Sequence, residues 1–152
     1  MPIRIVSNEL TAQNKRDVAR ELEKITDSLT ENQPSTYTHM ITMMDDLGRS
    51  NNKLKKELSY YLLAIYKFLD LPEKRLAYRL NTTSSYLKRK YERQLLGALV
   101  YFINPDDVIP DHIAYTGYLD DAHCVNLALS HQTPERREKI ESYVDEFKNN
   151  LG

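Results

Sequence analysis

Apolar positions recur along this chain at helical spacing, and the polar runs between them mark where one helix gives way to the next. Val18, Leu22, Ile25 and Leu29 lie on one helical face, and Ser7 or Asn8 can cap that helix by accepting from its free first-turn amides. The opposite face carries Lys15, Arg16, Arg20, Glu21, Glu23 and Lys24. Pro34 suits the start of a second helix with the stripe Tyr37, Met40, Ile41, Met44 and Leu47, and Gly48 serves as its C-terminal cap. From Asn51 a third helix presents Leu54, Leu58, Tyr61, Leu62, Ile65, Phe68 and Leu69. Tyr60, Leu63, Ala64 and Tyr66 spread its second half over the remaining faces, which predicts a central helix buried nearly all round toward its C-terminus. Leu71-Pro72 ends it, because proline disfavours helical geometry in the residue before it.

A short helix is predicted from Glu73 to Leu80, followed by a polar turn. A long helix then runs from about Ser84 through Tyr86, Leu87, Tyr91, Leu95, Leu99 and Phe102 to the break at Asn104-Pro105. Another opens at Asp120 or Asp121 and continues through Val125, Leu127, Ala128 and Leu129. The last, Glu135 to Leu151, has Ile140, Tyr143, Val144, Phe147 and Leu151 on one face. No alternating strand pattern or internal repeat interrupts this series. The expected fold is therefore all-α, a compact single-domain bundle of about six or seven helices over residues 1–152, with a distinctive motif at 95–130.

Composition narrows the function classes. At 152 residues the chain can bury a core without disulfide or metal staples, and 41% apolar with 28% charged residues is a soluble globular balance. A net charge of −1 supplies no global attraction to nucleic acid or anionic lipid, so any such binding needs a local patch. One cysteine, Cys124, leaves no internal disulfide and fits a reducing compartment, hence an expected cytoplasmic location. The first residues lack a secretory pattern, and the uncharged run Leu95 to Ile103 is about half the ~18 residues a membrane span requires. Neither a transmembrane segment nor peripheral membrane contact is expected.

That apolar run leads directly into an acidic corner. Between Asn104 and Asp121 stand Asp106, Asp107, Asp111, Asp120 and Asp121, with no Lys or Arg. Carboxylates so close repel one another unless helix N-termini, basic side chains or a bound cation compensate. Asp106 and Asp107 after Pro105, and Asp111 after Pro110, suit turns or caps, and Asp120 or Asp121 can cap the helix at Ala122. On this reading the five aspartates are a structural or partner-binding cluster. The sharper alternative is a divalent cation held by Asp106, Asp111, Asp120 and Asp121, because hard cations favour clustered carboxylate oxygens; His112 and His123 stand close enough in sequence to join it.

The run Tyr101, Asn104-Pro105-Asp106, Val108-Ile109-Pro110-Asp111, Ile113, Gly117 and Leu119-Asp120-Asp121 resembles the signature of the YkvA-like family, a small bacterial domain of unknown function. The resemblance covers about a fifth of the chain and implies a helical fold with no established reaction. His112 stands where the family has an aromatic, Ala114 where it has a second proline, and Asp107 where an apolar residue is common.

Just upstream the charge has the opposite sign. Lys74, Arg75, Arg79, Lys88, Arg89, Lys90 and Arg93 face only Glu73 and Glu92 in the span 72–93. The segment 74–93 is similar to a helix-turn-helix, with Leu76-Ala77, Leu80, a polar turn and Leu87, although Lys90 falls where the second helix would want an apolar residue. In that arrangement Ser84, Ser85, Lys88, Arg89, Lys90 and Arg93 would face DNA phosphates or bases. Otherwise they form a solvated basic face or one that pairs with a partner.

These patterns order three expectations. The first is a non-enzymatic helical interaction or regulatory domain with a protein partner and no cofactor. The second is a DNA-binding regulator using 74–93. The third is a divalent-metal-dependent enzyme centred on the aspartates.

Overall fold

A computed structural model describes Ile3 and residues 10–28, 40–69, 86–103 and 118–151; at residues 40, 86–92 and 151 it describes the backbone course only. Six helices occupy these residues, with no strand among them: α1 (Ala12–Ser28), α2 (Met40–Gly48), α3 (Lys53–Leu69), α4 (Tyr86–Ile103), α5 (Leu119–Ser130) and α6 (Pro134–Leu151). The chain is thus an all-α compact bundle. The short helix expected at Glu73 to Leu80 lies outside the described residues.

Capping chemistry sets three of the helix starts. Thr11 precedes α1, and the Asn14 amide donates to its Oγ1 at 3.0 Å. This corrects the expectation of a start at Ser7 or Asn8: Thr11 stands directly before Ala12, so its hydroxyl reaches the third amide of the first turn. Asn52 does the same for α3, accepting from the Lys55 amide at 3.1 Å. Thr133 accepts from the Arg136 amide at 3.3 Å at the head of α6, where Pro134 fills the first helical position and gives up an amide that had no partner to lose.

Helix α3 is the hub. Leu58, Ser59, Tyr61, Leu62, Leu63, Ala64, Ile65 and Leu69 are all buried, as the apolar residues spread round its second half predicted. It packs most extensively on α6 and α2, and also touches α4 and α5. The α1 stripe of Val18, Leu22 and Ile25 is buried against α4 and α5, and α4 contributes Leu95, Leu96, Ala98, Leu99, Tyr101 and Phe102 to the same core. Each fully buried aliphatic side chain stabilises the fold by about 2 kcal/mol relative to exposure. Cys124 lies in this core as a small buried side chain.

Two glycines mark close helix crossings. A Cβ at Gly48 would stand 2.7 Å from Ser59 Oγ, which itself donates to the Met44 carbonyl at 2.6 Å. Gly48 was expected to cap α2; it is instead the last helical residue, needed for the approach of α2 to α3. Ile41 is a second correction. Met44 and Leu47 are buried as predicted, but Ile41 is 44% exposed, because α2 packs on α3 and leaves a groove between itself and α6.

Candidate functional site

The second half of α4 and the first turn of α5 meet at a polar corner inside the core. Leu99, Tyr101 and Phe102 are buried on α4, and Leu119, Asp120, Asp121 and Ala122 are buried at the start of α5. The Tyr101 hydroxyl donates to Asp120 Oδ2 at 2.9 Å. Asp120 is fully buried and Asp121 is 2% exposed. Neither caps the helix at Ala122 as expected: α5 begins at Leu119, its N-cap is Tyr118, and no side chain caps it. Leu119 is itself core, which draws the helix start one residue back and carries both aspartates into the first turn. There the positive end of the helix dipole still favours their negative charge. A buried carboxylate without such compensation would be expensive; the hydroxyl of Tyr101 and the helix end supply part of it.

Asp106, Asp107, Asp111 and His112 lie outside the described residues; of the acidic cluster, Asp120 and Asp121 fall among them, side by side in the first turn of α5. Among the described residues no group of three His, Cys, Asp or Glu side chains is placed to hold a metal ion. His123, one turn further along α5, is half-buried, and burial followed by the charge of Lys15 lowers its pKa below the usual histidine value, with a hydrogen bond to the Lys15 backbone opposing them. His123 therefore stays neutral in the folded chain at pH values where the unfolded chain takes up a proton. Its contribution to stability is complete above about pH 6.5 and is lost as the pH falls below it. The urea midpoint is expected to drop between pH 7.5 and 5.5 by less in His123→Gln than in the parent; equal drops would exclude His123 as the cause.

The basic segment divides differently. Lys74, Arg75, Arg79, Ser84 and Ser85 lie outside the described residues, as do the side chains of Lys88, Arg89 and Lys90, whose backbone forms the start of α4. Arg93 is half-buried, and its Nη2 donates to the Thr26 carbonyl at 3.1 Å. Thr26 stands in the last turn of α1, so Arg93 places its charge at the negative end of that helix.

Two contacts escaped the sequence patterns. Asn126, buried on α5, accepts from the Ile3 amide at 2.9 Å and donates to the Ile3 carbonyl at 2.9 Å, holding this residue as an antiparallel strand neighbour would. Asparagine in an apolar helix is the signal that could have flagged it, although its partner is far away in sequence. The Tyr61 hydroxyl donates to both carboxylate oxygens of Glu141 at 2.7 and 2.8 Å, tying α3 to α6; burial, and then this carboxylate, push its pKa up.

The groove beside Ile41 lies on the other side of α3. It has a volume of about 620 Å³, with Leu63 and Phe147 in its lining and Asp45, Asp46, Arg49 and Asn150 around them. Asp45 and Asp46 pair with Arg49 along α2 at 3.2 and 3.6 Å.

Among the described residues no helix is long and apolar enough to cross a membrane. No curated protein and no solved structure matches the chain. The model of one family, described as a protein of unknown function (DUF1232), matches residues 94–127, a stretch that opens just after Arg93, takes in the Tyr101–Asp120 bond and ends one residue beyond Asn126.

Proposed function

We propose that this chain is a non-enzymatic helical interaction domain, cytoplasmic and without a cofactor, that docks a protein partner in the groove between α2, α3 and α6. The observation that carries the reading is Ile41, an apolar residue 44% exposed at the edge of a groove whose lining includes Leu63 and Phe147. Recognition grooves are concave and mostly apolar, with a few polar groups to orient the occupant, and here Asp45, Asp46 and Arg49 are placed for that. The acidic corner fits the same reading as architecture: Asp120 accepts from Tyr101 inside the core, which suits holding α4 to α5 better than binding a solvated cation. The YkvA-like resemblance belongs with it, since that pattern implies no reaction. Nucleic-acid binding through Ser84 to Arg93 draws less support, because Arg93 is half-buried against the end of α1.

The reading is tested by selecting peptides from a random library on the full chain. Enriched peptides carrying an aliphatic or aromatic anchor are expected to lose at least tenfold in affinity, about 1.4 kcal/mol, on Ile41→Asp. Enriched peptides whose affinity is unchanged by Ile41→Asp, or no enrichment at all, would remove the groove as the docking face.

A further inference from the structure

We infer that α5 carries a second docking site, separate from the groove, for a partner's peptide segment bearing an aliphatic residue, and that Ile3 fills this site from within the same chain. The contact has the form of a receptor with its ligand in place. Asn126 accepts from the Ile3 amide through Oδ1 and donates to the Ile3 carbonyl through Nδ2, both at 2.9 Å. The side-chain amide thus meets both backbone groups of a single residue, as a paired peptide group would. Nothing in this pairing depends on the side chain the residue carries, because every residue except proline offers the same donor and acceptor. The side chain is read separately, by burial: Ile3 is fully buried and belongs to the same apolar core as α5. Main-chain hydrogen bonds for affinity, with apolar space for one side chain, is a recurring way of recognising short peptides.

The site is built independently of its occupant. Helix α5 packs on α4, α1 and α3, and its Leu119, Ala122, Val125, Ala128 and Leu129 are buried, so the helix that presents Asn126 is held in place by the bundle itself. Asn126 is buried on that helix, and an amide fixed in this way loses little freedom when a ligand binds. Ile3 stands outside every helix, 123 positions away in sequence. Its advantage over a partner's segment is the covalent tether, which supplies a local concentration on the order of 1 mM. A partner segment that adds contacts of its own overcomes that advantage, and withdrawal of Ile3 opens the site to it.

The probe is a fluorescent peptide with the sequence of residues 1–8, carrying Ile5→Ser and Val6→Ser so that Ile3 is its one branched aliphatic residue. Its binding to the full chain is followed by polarisation, at chain concentrations up to about 1 mM. The parent, whose site is filled, is expected to bind at least tenfold more weakly than the Ile3→Asp chain, because a charged side chain is excluded from the core. Altered peptides on the Ile3→Asp chain then separate a docking site from a fixed piece of the fold. Methylating the amide nitrogen of the peptide's Ile3, which removes the donor to Asn126, should cost at least tenfold, and so should replacing that residue with aspartate. Shuffling the other residues around it should cost less than tenfold, since the backbone and one side chain are what the site reads. A thermal melt checks that the Ile3→Asp chain folds; if it does not, Ile3→Pro, which lacks the amide donor, takes its place. The inference is overturned if both chains unfold, which makes Ile3 part of the fold itself, or if the folded variant binds no better than the parent. Binding that ignores the methyl group, or that shuffling abolishes, overturns it equally. Ile41→Asp should leave this binding unchanged; a peptide lost on that substitution sits in the groove, which overturns the second site and leaves the groove reading standing.

Discussion

Replacing Asp120 with alanine is expected to lower the unfolding free energy by about 3 kcal/mol, making it the most damaging polar substitution at the α4–α5 corner. Three losses add. The hydroxyl of Tyr101, a residue 1% exposed, loses the carboxylate it donates to at 2.9 Å, and a buried donor left without that acceptor costs about 1–3 kcal/mol. The first turn of α5 loses a negative charge at its positive end, worth about 0.3–1 kcal/mol. A small void opens where the carboxylate stood in the core. Asp120→Asn keeps an oxygen that Tyr101 can reach and should cost less than half as much. Tyr101→Phe leaves the carboxylate buried with one donor fewer, for about 1.5–3 kcal/mol. Urea unfolding reads all three, and the double variant Asp120→Ala with Tyr101→Phe should cost clearly less than the sum of the single ones, because both remove the same bond. A loss below about 1 kcal/mol for Asp120→Ala would show that the corner is not held by this bond.

That corner also shows where sequence patterns stop being informative. The stripes of α1 and α3 were legible because burial follows the helical period: Val18, Leu22 and Ile25 are buried where the spacing put them, and so are Leu58, Tyr61, Leu62 and Ile65. Helix starts were less so. Ser7, Asn8 and Thr11 can all cap, and local preference alone cannot choose among three such residues within five positions; the hydroxyl that reaches Asn14 decides. Asp120 and Asp121 looked like caps for the same reason, but a cap preference takes no account of Leu119 being drawn into the core ahead of them. Ile41 fits its stripe and is nevertheless exposed, since periodicity says which way a side chain faces and not whether another helix closes over it. The least legible contacts are those between distant residues, such as Asn126 with Ile3 and Arg93 with Thr26, where neither partner carries a local sign of the other. Of the acidic and basic candidates, only Asp120, Asp121 and the side chain of Arg93 fall among the described residues, and all three are wholly or partly withdrawn from solvent.

Gly97 sets the second large effect, and here two opposing terms must be weighed. It sits mid-way along α4, where glycine costs about 1 kcal/mol of helix stability relative to alanine, so Gly97→Ala would stabilise an isolated helix. In the fold the added Cβ would stand 2.6 Å from Thr26 Oγ1 and 3.2 Å from Leu22 Cδ1, both on α1. Thr26 cannot turn aside cheaply, because its hydroxyl donates to the Leu22 carbonyl at 2.7 Å and the residue is 5% exposed. Overpacking of this kind costs about 1–3 kcal/mol, so the clash is expected to outweigh the propensity gain and Gly97→Ala to be net destabilising by about 1 kcal/mol. Gly97→Val adds two further methyls and a β-branched side chain in a helix, and should cost about 3 kcal/mol or more. The compensating change identifies the cause. Thr26→Ala removes the oxygen the new Cβ meets, so Gly97→Ala measured on that background should turn neutral or stabilising, a coupling of about 1–2 kcal/mol in a double-mutant cycle. If Gly97→Ala costs the same with and without Thr26→Ala, the approach of α1 to α4 is not what requires the glycine.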